Sequence, residues 1–123
     1  MNESLWRQAL KQSNIAIKYN SLKPIHTNLD FIEEDKINYE IRSLTNYTKF
    51  PKGEYGPKVN PFRPWDPLLE ITPIIDKHIL ILNKYPIEIG HMLLITKNWN
   101  PQNGWLTKGD WNALLEVNSD TSG

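Results

Sequence analysis

Cysteine is absent from the 123 residues, which excludes disulfides and thiolate metal sites and is what a reducing cytoplasm permits. Net charge is missing too. Fourteen Lys and Arg balance fourteen Asp and Glu, so no whole-molecule field draws in nucleic acid or an anionic membrane surface, and any anion site must be local. Long apolar runs are also lacking: the two longest, residues 78–82 and 91–96, fall far short of the roughly 18 to 20 that a membrane-spanning helix requires. The opening MNESLWRQALKQ places charged or polar groups every few positions, so no secretory signal is read there. No Gly-x-Ser-x-Gly turn occurs, which leaves a serine-type triad without support. These absences together predict a soluble, cytoplasmic protein.

Five Trp, five Tyr and three Phe supply large apolar groups to a chain that is 39% hydrophobic, which argues for one lean globular domain over disorder. Residues 4–19 carry Leu5, Trp6, Ala9, Leu10, Ala16 and Ile17 at helical spacing, with Ser4 available as N-cap. Lys23-Pro24 disfavours helix, so part of residues 20–36 should be extended. Ile37, Tyr39 and Ile41 alternate with polar residues as in a half-buried strand, entered through a turn at Glu33-Glu34-Asp35-Lys36. Residues 46–67 hold five of the nine prolines and two glycines, the mark of a long loop. An extended stretch over 68–75 is expected to break at Pro73. Residues 78–82 and 92–96 read as neighbouring strands, joined by a loop that contains Asn83-Lys84-Tyr85-Pro86 and Gly90. Thr107 and Asp110 have capping-box spacing, and Trp111, Leu114, Leu115 and Val117 follow at helical positions. Residues 118–123 are a small, polar tail that continues no apolar stripe.

Residues 60–66 read N-P-F-R-P-W-D, residues 78–85 H-I-L-I-L-N-K-Y, residues 91–96 H-M-L-L-I-T and residues 106–111 L-T-K-G-D-W. This ordered set resembles the ATP adenylyltransferase (diadenosine tetraphosphate phosphorylase) family, a branch of the histidine-triad superfamily. Leu5-Trp6 and residues 22–25 and 41–44 are similar to that family as well, so the likeness runs from about residue 4 to 117. It implies an α+β fold, a histidine-triad-like antiparallel sheet with flanking helices, incomplete at the C-terminus. Residues 1–117 would form the N-terminal domain of that type and 118–123 the tail. In the family this is less than half of the protein, and a Gly/Ser-rich turn and an H-x-H-x-H motif follow. The three histidines here, His26, His78 and His91, do not form that motif.

The resemblance implies phosphorolysis of diadenosine tetraphosphate to ATP and ADP, or its reverse, with no catalytic residue on this chain. It carries substrate binding to Lys49, Asn83 and Lys84. The two lysines would balance phosphate charge, and Asn83 would hydrogen-bond ribose or phosphate. The bland alternatives are a polar turn at Asn83-Lys84 and a solvated surface charge at Lys49. His78 and His91 open apolar strands and read as structural hydrogen-bonding groups, and His26 as a loop residue. Asp66, Asp76 and Glu88 form no recognisable carboxylate pair. Of the aromatics Phe62, Trp65, Tyr85, Trp99, Trp105 and Trp111, most are expected in the core, with Phe62 and Tyr85 the candidates for stacking on adenine. The protein itself offers no metal site, and a divalent cation such as Mg would accompany the nucleotide. The expected partners are ATP, ADP and diadenosine tetraphosphate, with a second chain bearing the H-x-H-x-H motif, and neither nucleic acid nor membrane. Two rival readings stand beside this one: a truncated, inactive remnant, and a non-catalytic nucleotide-binding or interaction module.

Overall fold

The computed structural model describes residues 3–45 and 64–121. Helix α1 spans Leu5–Lys18, the hairpin strands β1 and β2 span Thr27–Glu34 and Ile37–Leu44, and a 3-10 turn covers Pro67–Leu69. Strands β3, β4 and β5 follow at Glu70–Ile74, His78–Leu82 and Met92–Thr96, and helix α2 occupies Lys108–Thr121. The fold is α+β, with one antiparallel hairpin and one antiparallel three-stranded sheet in the order β3-β4-β5.

All five residues of β4 are buried, as its unbroken apolar run requires of a central strand. Pro73 does not break β3; the strand runs through it. The reason is position, because an edge strand can accommodate a residue that lacks an N–H, and β3 lies at the edge of this sheet. The helices cover one sheet face. Ala9, Ala16 and Leu22 pack with Leu69 and Leu82, and Leu5 packs with Ile74, Leu80 and Ala113. Met92 and Ile71 join both groups.

Helix α1 forms with Ser4 as its N-cap, the Ser4 Oγ accepting from the Arg7 N–H at 3.3 Å. Its buried stripe is narrower than the sequence suggests: Leu5, Ala9, Ser13 and Ala16 are inside, whereas Trp6 and Ile17 are exposed. Small residues at i, i+4 and i+7, Ala9, Ser13 and Ala16, let the helix backbone approach the sheet, and the Ser13 hydroxyl is satisfied by donating to the Ala9 carbonyl at 2.7 Å.

Helix α2 opens on the expected capping box. The Thr107 N–H donates to Asp110 Oδ2 at 2.7 Å and the Asp110 N–H donates to Thr107 Oγ1 at 3.2 Å. The buried line of this helix is Ala113 with the half-buried Asp110, Val117 and Thr121. Trp111, expected in the core with most of the aromatics, is exposed, and so are Leu114 and Leu115. Residues 118–121 stay helical without any apolar stripe, and Asp120 Oδ2 accepts from the Leu5 N–H at 2.8 Å. That carboxylate meets the positive end of α1, where an anion is favoured. We expect Asp120→Ala to lower stability by about 1 kcal/mol in urea melts, with Asp120→Asn recovering most of the loss.

Two further expectations fail. The β1–β2 strands form, with Asp35 at φ 51° and Lys36 at φ 64° making a tight hairpin turn, but Ile32, Ile37, Tyr39 and Ile41 share one exposed face. Period-two alternation sets which side chains lie together; it does not provide the layer that buries them. Nor, among the described residues, is the core aromatic: Trp99, Trp105 and Trp111 are exposed, and Trp105 is 99% accessible. Aliphatic side chains and alanine fill the thin space between two short helices and the sheet.

Candidate functional site

The turn after β4 is held by main-chain bonds from two sides. The Asn83 N–H donates to the His91 carbonyl at 2.9 Å, extending the β4–β5 ladder by one rung. The N–H groups of Lys23 and Ile25 donate to the carbonyls of Lys84 and Pro86 at 2.8 and 2.9 Å. Residues 22–25 therefore act as a splint along the turn, with Leu22 buried in the core as its anchor.

Within the turn, Asn83 Oδ1 accepts from the Tyr85 N–H at 3.0 Å, an Asx-type bond that fixes the carboxamide. Its Nδ2 lies 3.4 Å from His91 Nδ1. Lys84 Nζ sits 5.4 Å from the centre of the Tyr85 ring. That distance is a cation–π contact, so one face of the proposed adenine-stacking ring faces an ammonium group.

Asp66, the last residue of the N-P-F-R-P-W-D segment, caps the 3-10 turn by accepting from the Leu68 N–H at 2.9 Å. The Ser21 hydroxyl, the Leu68 N–H and the Lys84 ammonium all hold the Asp66 carboxyl below the usual carboxylate range, Ser21 most strongly. Trp65 is tied nearby, its indole N–H donating to Glu70 Oε2 at 3.2 Å. The link between Asp66 and Ser21 is not visible in sequence spacing, since the two lie 45 residues apart in the chain.

The geometry thus joins Asn83 with His91, and Lys84 with Tyr85. Lys49 and Phe62 lie outside the described residues. His78 has the structural role expected of it, its Nε2 lying 2.7 Å from Asp110 Oδ1 and fastening β4 to the start of α2. Asp110 is held below the usual carboxylate range chiefly by the Thr107 N–H and next by the His78 ring. His91 is likewise a hydrogen-bonding group, and its partner, Asn83, is one that the sequence reading did not name. Its signal was the strand pairing itself, because once residues 82 and 92 are opposite, residues 83 and 91 are next. Among the described residues, no three His, Asp or Glu side chains are grouped to hold a metal ion. Among the same residues, no helix is long and apolar enough to cross a membrane.

This fold is shared with solved proteins. The chain is similar to yeast Ap4A phosphorylase Apa2 in complex with AMP at TM-score 0.72 and 23% identity, covering 95% of this chain and 39% of the yeast chain. Another structure of yeast Apa2 aligns at TM-score 0.72 and 22% identity, covering 98% and 39% of the two chains. Yeast Apa2 in complex with Ap4A aligns at TM-score 0.68 and 24% identity, covering 95% and 40%. The chain therefore spans about two-fifths of the length of these relatives, and likeness at such identity establishes a shared fold. No curated protein matches the chain. The family model for the Ap4A phosphorylase N-terminal domain matches residues 1–123. With that match extending over every residue and the α+β framework in agreement, the chain belongs to the Ap4A phosphorylase N-terminal domain family.

Proposed function

We propose that this chain is the N-terminal portion of a nucleotidyltransferase that phosphorolyses diadenosine tetraphosphate to ATP and ADP, or runs the reverse, and that the β4–β5 turn binds the polyphosphate. The family match over residues 1–123 carries the reading. It is supported by the solved complexes of yeast Apa2 with AMP and with Ap4A, and by the splinted turn that presents Asn83 and Lys84 together.

In this reading Lys84 and Lys49 balance phosphate charge, Asn83 hydrogen-bonds a ribose or phosphate oxygen, and Phe62 or Tyr85 contacts adenine. An ammonium opposite phosphate oxygens in a partly desolvated turn is a strong term because both partners are charged. A divalent cation such as Mg enters only on the nucleotide's own phosphates. His78 is committed to Asp110, and residues 1–123 contain no H-x-H-x-H motif. The nucleophile is therefore assigned to polypeptide bearing that motif. Its imidazole nitrogen would attack the α-phosphorus and expel ATP, and inorganic phosphate would then take the adenylyl group from the histidine to give ADP.

Calorimetric titration of the 123-residue chain with ATP tests the binding step. A saturable heat that Lys84→Ala abolishes is expected, with the variant's thermal melt unchanged. A flat titration of the folded wild-type chain would favour the inactive-remnant reading instead.

A further inference from the structure

Asn83 and His91 stand opposite each other one rung beyond Leu82 and Met92. Directly opposed residues of an antiparallel pair place their side chains on the same face, close enough to interact. The Asn83 carboxamide has its orientation fixed from elsewhere, because the Tyr85 N–H needs an acceptor and finds it at Oδ1, 3.0 Å away. The end turned toward His91 is accordingly the NH2 group, 3.4 Å from Nδ1. An amide NH2 only donates, so Nδ1 must accept, and the proton of the neutral ring must sit on Nε2.

We propose that His91, in its Nε2–H tautomer, is a positioning residue: it holds the Asn83 carboxamide in the orientation that meets the nucleotide, leaving the second amide N–H to donate to a ribose or phosphate oxygen. The positioning role rests on the nucleotide site proposed above; the tautomer does not. At 3.4 Å between partly solvated groups the contact adds little to stability. Its effect is on direction, since a carboxamide turned over would offer its oxygen to a phosphate and repel it. Two bonds, one at each end of the amide, exclude that rotamer before the nucleotide arrives.

The experiment combines nitrogen-resolved NMR of the histidine rings with ATP titrations. It uses the wild-type chain, His91→Leu, His91→Asn, Asn83→Ala and the His91→Leu/Asn83→Ala double variant. At mildly alkaline pH the His91 ring is expected to show a bare Nδ1 and a protonated Nε2. His91→Leu should weaken ATP binding about fivefold, the scale of one neutral hydrogen bond, with an unchanged melt. His91→Asn should restore most of the affinity, because its Oδ1 stands where Nδ1 stood. In the Asn83→Ala background the leucine substitution should add nothing. A protonated Nδ1 on the neutral ring overturns the proposal whether or not ATP binds. ATP binding that Asn83→Ala weakens and His91→Leu leaves untouched overturns the positioning role while sparing the nucleotide site. No ATP binding by a wild-type chain with a bare Nδ1 overturns the nucleotide site and the positioning role together.

Discussion

Gly90→Ala is expected to destabilise the fold by about 2 kcal/mol, combining a left-handed backbone penalty of roughly 1 kcal/mol with the loss of one aromatic contact. Gly90 holds φ at +89°, and a β-carbon built there would lie 2.6 Å from Cη2 and Cζ3 of Trp6. The indole lies against the glycine backbone between α1 and the β4–β5 turn, so an alanine must displace it. Because those atoms are the far end of a 44% exposed side chain, the ring can swing away, and it gives up its packing in doing so. A double-mutant cycle isolates the two components. In a Trp6→Ala background, Gly90→Ala should cause only the backbone part of the loss, so the two substitutions should be non-additive in urea melts. Additive losses would show that Trp6 and Gly90 are not in contact.

Asp110→Ala should cause a loss of about 2 kcal/mol, because one carboxylate performs two tasks: capping α2, worth about 1 kcal/mol, and partnering a buried imidazole whose exposure to no acceptor is of similar size. Oδ2 accepts from the Thr107 N–H and Oδ1 meets His78. Thr107→Ala removes only part of the box and should be milder. The pH dependence has a definite sign. The Asp110 carboxyl titrates below the ordinary range in the folded protein, so its contribution is complete above the unfolded carboxylate range. It is lost as pH falls through the folded value, in the acid region below about 4. Urea midpoints measured down to that region should fall more steeply for the wild-type chain than for Asp110→Ala. Asp66, also depressed, contributes an acid loss common to both.

Local patterns were legible where the interaction is itself local. Ser4 and Thr107-Asp110 announce helix starts because a cap is satisfied within three residues. The apolar runs of β4 and β5 announce strands, and the charged cluster at residues 33–36 announces the turn into β2, although Glu33 and Glu34 still belong to β1 and only Asp35-Lys36 make the turn. What escaped was set by distant partners. Helical spacing put Trp6 and Ile17 on the packing face of α1, yet alanine and serine are what allow that helix to approach the sheet. Asp120 reads as tail composition until the Leu5 N–H is found beside it.

At the candidate site, resemblance supplied Asn83 and Lys84, while residue spacing within one element does not pair His91 with the Asn83 amide. That pairing follows from the antiparallel register of β4 and β5.

The claim that a polyphosphate is bound at the turn after β4 is tested most directly by amide chemical-shift mapping of the 123-residue chain during titration with diadenosine tetraphosphate. Saturable shifts concentrated at Asn83, Lys84, Tyr85 and His91, and missing in Lys84→Ala, are the predicted result. Shifts confined to the β1–β2 hairpin, or saturable binding that leaves residues 83–91 unmoved, would contradict it.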